Sequence, residues 1–439
     1  MRHLSLLLLM ILMSAIAVHA QTAEKFAQDW DKEHISKIFP SDVRHADLKK
    51  YLDQLKKQGI KVDQVGFSGA SREIYQMEWG SGPLKVFMWS QMHGDEPTAT
   101  SALIDMFAFL QKHRNNDWVK KIAETMTIRA VPMLNPDGAE TYQRRNLQGI
   151  DINRDAVDLK TPEAQLLKRL RDDWNPAIGF NLHNQGALTT VGRSPNQAAI
   201  SLLVVYGDEA KTPSFGHERN QRITAGIVSS LQKFIPGHIA RYSDEWTPSA
   251  FGDNFSAWGT PTILIETGAL YGKDEMSLVK MNFIAFMTAL QSLATGSEKT
   301  QDAAMYVKLP ENGSGSLVNF IFRRATVVNT DDELALSYTL ADIAAVTSRR
   351  RASFAAPTTI RSVGELSFQR GLEEYNASGF NVIHRFAKVE SGELAELYFY
   401  RKDRTVDWQS NELEKQFPPD AIFSGGKWIK GEKLFTRSK

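Results

Sequence analysis

The run His93-Gly94-Asp95-Glu96 places an imidazole and a carboxylate three residues apart, directly after the apolar stretch Leu84 to Trp89. At a strand-to-helix turn both groups can face a single cation. Zinc accepts histidine nitrogen and glutamate oxygen, and a catalytic zinc site uses three protein ligands plus a water. By itself the spacing is better read as that of a solvated loop or a helix start, and a third donor has to come from elsewhere. His183, at the end of the apolar stretch Ala177 to Leu182, is the candidate. A lone histidine beside apolar residues is otherwise a hydrogen-bonded structural one. The chain has no cysteine, so thiolate zinc sites are excluded and only His and carboxylate donors remain.

Between Arg144 and Asp155 lie Arg144, Arg145, Asn146, Asp151, Asn153 and Arg154. A polar surface loop is the plain reading. Arginine is also the side chain suited to gripping a carboxylate with two parallel bonds and to stabilising a developing oxyanion. Glu266 ends a further short apolar run, Thr262 to Ile265.

Those residues need a scaffold. Phe26 to Gly59 reads as helical, with Leu48, Leu52 and Leu55 at helix spacing. A strand over 84–89, a helix over 98–111, a strand over 126–133 and a turn at Asn135-Pro136-Asp137-Gly138 follow. A helix over 162–174 and strands over 177–182 and 262–265 come next, and a helix over 283–293 closes the series. Helices alternating with buried strands predict an α/β fold, with a mostly parallel or mixed central sheet and helices on both faces. His93, His183 and Glu266 all fall just past strand ends, where open α/β sheets form their active-site crevice.

The polar stretch 294–301 reads as a linker, and strand-like segments at 317–328, 334–340 and 394–400 predict a smaller β-rich C-terminal domain. At the other end, Arg2 and His3 precede an apolar run to Val18 and a small-residue pattern, Val18-His19-Ala20. This is the plan of a secretory signal peptide, since the run is short for a membrane anchor. The expected organisation is residues 1–20 as signal peptide, 21–296 as catalytic domain and 303–439 as accessory domain. The expected destination is the periplasm or the medium, with no membrane span in the mature chain. A net charge of +1 with interspersed signs points away from nucleic acid as a partner. The short run Arg349-Arg350-Arg351 reads as a solvated loop.

Taken in order, His93-x-x-Glu96, Asn135-Pro136-Asp137-Gly138, Arg144-x-Asn146, Gly149-Ile150-Asp151-Ile152-Asn153-Arg154, Asn181-Leu182-His183 and Glu266 resemble the zinc carboxypeptidase family M14 over about residues 60–293. The resemblance implies one zinc ion per chain held by His93, Glu96 and His183. It implies hydrolysis of C-terminal peptide bonds by zinc-activated water, with Glu266 as general base and Arg144 at the oxyanion. Asn153 and Arg154 would clamp the free C-terminal carboxylate of a peptide substrate, and Asp151 would orient a metal-bound histidine. No substrate-capping tyrosine is aligned in the loop from Arg241 to Asn254, although Asp253 in that loop is a candidate for the side-chain pocket. The alternatives are a zinc amidase or deacylase of the aspartoacylase type, a peptidase acting on cell-wall stem peptides, and an inactive binding protein that keeps the fold.

Overall fold

The computed structural model describes residues 21–330 and 335–437, and the expected signal peptide lies outside the described residues. Thr22 caps α1 (Ala23–Glu33) by accepting from the backbone N of Lys25. The buried Leu48, Leu52 and Leu55 define α2 (His45–Lys57). The helical stretch expected from 26 to 59 is thus two helices, because a separate turn opened by Pro40 (Pro40–Asp42) interrupts it.

Three strands follow: β1 (Lys61–Phe67), β2 (Glu73–Gly80) and β3 (Leu84–Ser90). Next come α3 (Thr98–Lys112), α4 (Asp117–Thr125), β4 (Met126–Val131), α5 (Pro136–Thr141) and α6 (Pro162–Trp174). The chain continues through β5 (Ile178–Asn184), β6 (Thr190–Val191), β7 (Ile200–Val204), α7 (Phe215–Leu231) and β8 (Ile239–Arg241). This part ends with α8 (Phe251–Ala257), β9 (Thr262–Thr267) and α9 (Glu275–Thr295). The turn expected at 135–138 is the start of α5, since Asn135 caps it and Pro136 occupies its first position.

One mixed sheet runs β1-β2-β4-β3-β5-β9-β7-β8. Its centre, β4-β3-β5-β9, is parallel, and antiparallel pairs flank it. Every residue of β5 and β9 is buried, which is why these strands read as unbroken apolar runs. Alternate residues of β3 serve two cores. Val86 and Met88 pack with the helix residues of α3 and α9, while Phe87 and Trp89 pack with α6 and α8. On the second side Trp89 and Phe255 have ring centroids 4.2 Å apart; truncating Phe255 to Ala would cost about 3–5 kcal/mol. Helix α9 is long and apolar enough to cross a membrane, yet most of it is buried against α3 and α7.

Beyond α9, a turn (Ser297–Thr300) and α10 (Ala304–Val307) pack on α7. Tyr306 is only 4% exposed, and its Oη accepts from the Val204 backbone N at 2.9 Å. Glu298 is buried as well. The connection after α9 is thus packed: the turn that carries the buried Glu298 and the helix that carries Tyr306 both lie against α7. Strand β10 (Asn312–Gly313) then pairs with β6.

The rest is β-rich, as expected: β11 (Leu317–Thr330), β12 (Leu336–Thr347), β13 (Thr358–Gly364), β14 (Arg370–Asn376), β15 (Phe380–His384) and β16 (Leu397–Arg401). After α11 (Leu413–Gln416), strands β17 (Ala421–Ser424), β18 (Lys427–Lys430) and β19 (Thr436–Arg437) complete a second sheet with its own aromatic core. Between β12 and β13 the basic run departs from the expected solvated loop. Arg351 is 6% exposed and donates to the carbonyls of Ser41, Ala139 and Glu140 at 3.0, 2.6 and 2.9 Å. A guanidinium has enough donors to satisfy several carbonyls at once, and this one fastens the β-rich region to the first sheet's surroundings.

Candidate metal centre and its cleft

His93 sits in a turn whose backbone is constrained on both sides. Gln91 is buried and in the left-handed region at φ 52°, a conformation non-glycine residues keep only where their surroundings hold them. Here its side chain donates to the Gly94 carbonyl and accepts from Thr100 Oγ1. Gly94 lies against the start of α5 so closely that an added Cβ would stand 1.9 Å from the Gly138 carbonyl carbon. Asn135 joins the two segments, with Oδ1 accepting from Gly138 N at 2.8 Å and Nδ2 donating to Met92 O at 3.2 Å. The close approach of His93-Gly94 and Asn135–Gly138 explains why both motifs occur together.

The three expected donors converge. One ligand atom from each of His93, Glu96 and His183 lies within 4.8 Å of the others, and all three residues are buried. Glu96 Oε1 is 2.9 Å from His93 Nδ1, Glu96 Oε2 is 2.7 Å from His183 Nδ1, and the two Nδ1 atoms are 3.2 Å apart. The Asn184 backbone N also donates to Glu96 Oε2 at 3.0 Å. Burial works against charge on His93, but Glu96 and Asp151 together push its imidazole up to about 9. Burial likewise opposes ionisation of Glu96, yet the two histidines hold it well below the ordinary glutamate range. Such a cluster suits a divalent cation better than protons, because two imidazole lone pairs and a carboxylate meet at one point. Two histidines and one glutamate also form a known catalytic zinc donor set.

Asp151 organises the next layer. Its Oδ1 is 3.0 Å from His93 Nε2 and accepts from the Asn153 backbone N at 2.9 Å, while its Oδ2 accepts from Arg144 Nε at 3.0 Å. Burial would raise its carboxyl, but His93 and Arg144 hold it far below the usual aspartate range. Bonding at Nε2 leaves His93 Nδ1 for the cluster, the arrangement that fixes a ligand histidine. Arg144 is 44% exposed, and its Nη1 lies 3.2 Å from Glu96 Oε1. Asn153 Oδ1 accepts from the backbone N of Phe251 at 2.9 Å, tying Asn153 to α8. Arg154 is exposed beside it, with Nη1 donating to the Asn153 carbonyl.

Glu266 arrives by strand pairing. In the parallel β5–β9 pair His183 is the register partner of Glu266, so both side chains point to the same face. Glu266 Oε2 and His183 Nε2 are buried without a hydrogen-bond partner among the described residues. Burial, followed by the nearby Glu96 charge, pushes the Glu266 carboxyl above its ordinary range. A carboxylate held in this way is suited to proton transfer near neutral pH.

A cavity of about 520 Å³ opens over these groups, lined among others by Arg144, Asn153, Arg154, Tyr242, Asp253 and Glu266. Every site residue named from the sequence is thus at this cavity or, for Asp151, directly behind it. The sequence alone left Tyr242 unassigned, since no capping tyrosine aligns in the loop from Arg241 to Asn254. The fold brings it into the cavity, where burial and the charge of Glu266 push its phenol up to about 12. It also missed Asn312, Gly313 and Ser314, which line the cavity from beyond the polar connection. Nothing in their residue types marks them; only the β6–β10 pairing puts them there.

Residues 48–217 match the family model described as zinc carboxypeptidase. Over that stretch the chain is similar to the zinc carboxypeptidases. It is 26% identical over 204 residues to the probable carboxypeptidase 2 of Arthroderma benhamiae and 30% identical over 184 residues to the carboxypeptidase 2 of Trichophyton rubrum. Those alignments cover 45% and 42% of this chain but only 36% and 32% of the relatives, so the chain spans about a third of their length. A metallo-carboxypeptidase from Burkholderia cenocepacia superposes with a TM-score of 0.47 at 14% identity, covering 57% of this chain and 69% of that one. The family match includes His93, Glu96, Arg144, Asp151, Asn153, Arg154 and His183. Glu266 and Tyr242 lie outside it, and only the fold places them in the same cleft.

Proposed function

We propose that the protein is a zinc metallocarboxypeptidase that removes residues from the free C-terminus of peptides, with one zinc ion per chain held by His93, Glu96 and His183. The observation that carries this reading is the pairing of β5 with β9, which sets Glu266 beside the His183 corner of a His-Glu-His cluster. Zinc bound there would supply Lewis acidity and lower the pKa of a water.

The protein's own groups do the rest. Glu266 takes the proton of the attacking water and returns it to the leaving amine, a role its raised carboxyl suits. Arg144, tethered through Nε to Asp151, presents its remaining N–H groups to the oxygen on which charge develops. Arg154 and Asn153 hold the terminal carboxylate, which fixes the scissile bond at a set distance from the cluster. Tyr242, on the cavity wall, is positioned to close over the bound residue. Export through the N-terminal run belongs to the same reading, and a mature chain beginning at Gln21 would test it.

Metal analysis of the purified protein, combined with mass spectrometry of a digested peptide mixture, tests the proposal as a whole. One zinc per chain and stepwise loss of single C-terminal residues are expected. A protein without zinc affinity, or one that cuts peptides internally, would overturn it.

A further inference from the structure

A second pocket of about 190 Å³ adjoins the catalytic cavity, and the two share Asn184 and Gln185 as lining. Pro97, Lys273, Glu275 and Arg349 are also on its walls. Pro97 directly follows the ligand Glu96, and Asn184 directly follows the ligand His183, so this pocket borders the metal cluster on another side. In the carboxypeptidase reading, on which this inference rests, the substrate's last residue sits in the first cavity against Arg154. A peptide lying across the cluster must then run its amino-terminal part away from Arg154, and the second pocket, bordering the cluster at Pro97 and Asn184, offers space for it.

Arg349 does not come from the catalytic sheet. It lies in the connection between β12 and β13 of the β-rich region, two residues before the buried anchor Arg351. Its Nε donates to Tyr142 Oη at 3.2 Å, which holds the exposed guanidinium at the pocket wall. Its charge is felt at Asp95 and at Glu266. The pocket's acids are already engaged: Glu275 Oε2 accepts from Ser41 N at 2.9 Å, and Asp274 caps α9 through Ser277 N at 3.0 Å. Neither Arg349 nor Lys273 forms an ion pair with a carboxylate among the described residues. Asp274 and Glu275 keep their negative charge, so the lining is balanced overall, and what it offers an anion is local. Among the described residues the Arg349 guanidinium has only the Tyr142 hydroxyl as a hydrogen-bond partner, and a guanidinium is the better of the two cations at gripping a carboxylate.

We propose that Arg349, assisted by Lys273, makes the enzyme prefer peptides with an acidic side chain within the first three residues on the amino-terminal side of the scissile bond. The β-rich region thereby contributes a specificity residue to a cleft built by another sheet.

The test uses peptides sharing one C-terminal residue, with Glu, Gln or Lys at each of those three positions in turn. Both kcat/KM on the zinc-loaded enzyme and the Kd of the same peptides for the zinc-loaded Glu266→Gln protein are measured. At one position Glu should be favoured over Gln by about tenfold, the scale of a charge-assisted contact. Arg349→Ala should bring that ratio close to one, Arg349→Lys should restore part of it, and Arg349→Glu should turn the preference toward Lys. No preference at any position, or Arg349 variants that weaken Glu, Gln and Lys peptides alike, would overturn the inference. If no peptide loses its last residue, the carboxypeptidase reading fails, and the Kd series still shows whether Arg349 selects acidic peptides.

Discussion

Asp151 Oδ1 stands 3.0 Å from His93 Nε2, and the other oxygen of the same carboxylate holds Arg144 Nε at 3.0 Å. One side chain therefore sets both the imidazole proposed as a zinc ligand and the guanidinium proposed for the oxyanion. Outer partners of this kind are worth about 10–100-fold in metal affinity. Asp151→Ala should weaken zinc binding by about that factor, read by competition with a chromophoric chelator. It should also lower kcat at saturating zinc, since Arg144 loses its tether. Unchanged zinc affinity would reduce Asp151 to a cap for the turn Ile152–Arg154.

Glu266→Gln keeps the shape of the side chain and removes its ability to take a proton. A general base contributes about 10²–10⁴-fold, so turnover should fall by that much while zinc content and melting temperature stay near native. Turnover within a few-fold of native would remove Glu266 from the proposed chemistry.

The raised carboxyl of Glu266 also predicts how metal-free protein responds to pH. Unfolded, this group ionises near its ordinary value of 4.5, whereas in the fold it keeps its proton to higher pH. Above 4.5 the folded state thus binds more protons than the unfolded one, so stability falls as pH rises toward the folded value. Melting temperatures of chelator-treated native protein and Glu266→Gln should diverge across that window, with the variant losing less. Parallel curves would mean that Glu266 is not held protonated.

Asp253 lines the catalytic cavity, and burial pushes its carboxyl up to about 6 against the opposing hydrogen bond from Thr247 N and the charge of Arg154. If it receives a basic side chain from the departing residue, the ratio of kcat/KM for peptides ending in Lys over Leu should rise as pH passes about 6. Asp253→Asn should flatten that rise. A ratio independent of pH and of the substitution would leave Asp253 as a support for Thr247 alone.

Much of the site was legible because its chemistry is local. His93 and Glu96 share one turn, Arg144 to Arg154 share one loop, and His183 and Glu266 end apolar runs whose burial on both faces makes them read as central strands. Tyr242 was not legible, since a loop residue's place depends on loop conformation and not on periodicity. Asn312–Ser314 reach the cleft through a two-residue strand, too short to leave a pattern. The basic run looked solvated because charge is normally exposed; Arg351 is buried only because three backbone carbonyls from distant segments meet there. The packing around the polar stretch after α9 was not legible either, since it rests on a buried glutamate, Glu298, and on Tyr306, which lies beyond the stretch.

The central claim is that a free terminal carboxylate, held by Arg154 and Asn153, directs the cut. It is tested most directly by giving the zinc-loaded protein one peptide as free acid and as C-terminal amide, and following both by mass spectrometry. The account predicts loss of the last residue from the free acid, with kcat/KM on the amide lower by about ten- to a hundredfold. It also predicts that Arg154→Ala narrows the gap by slowing only the free acid. Equal cleavage of the two peptides, or products cut inside the chain, would contradict it and favour an endopeptidase or a deacylase on the same cluster.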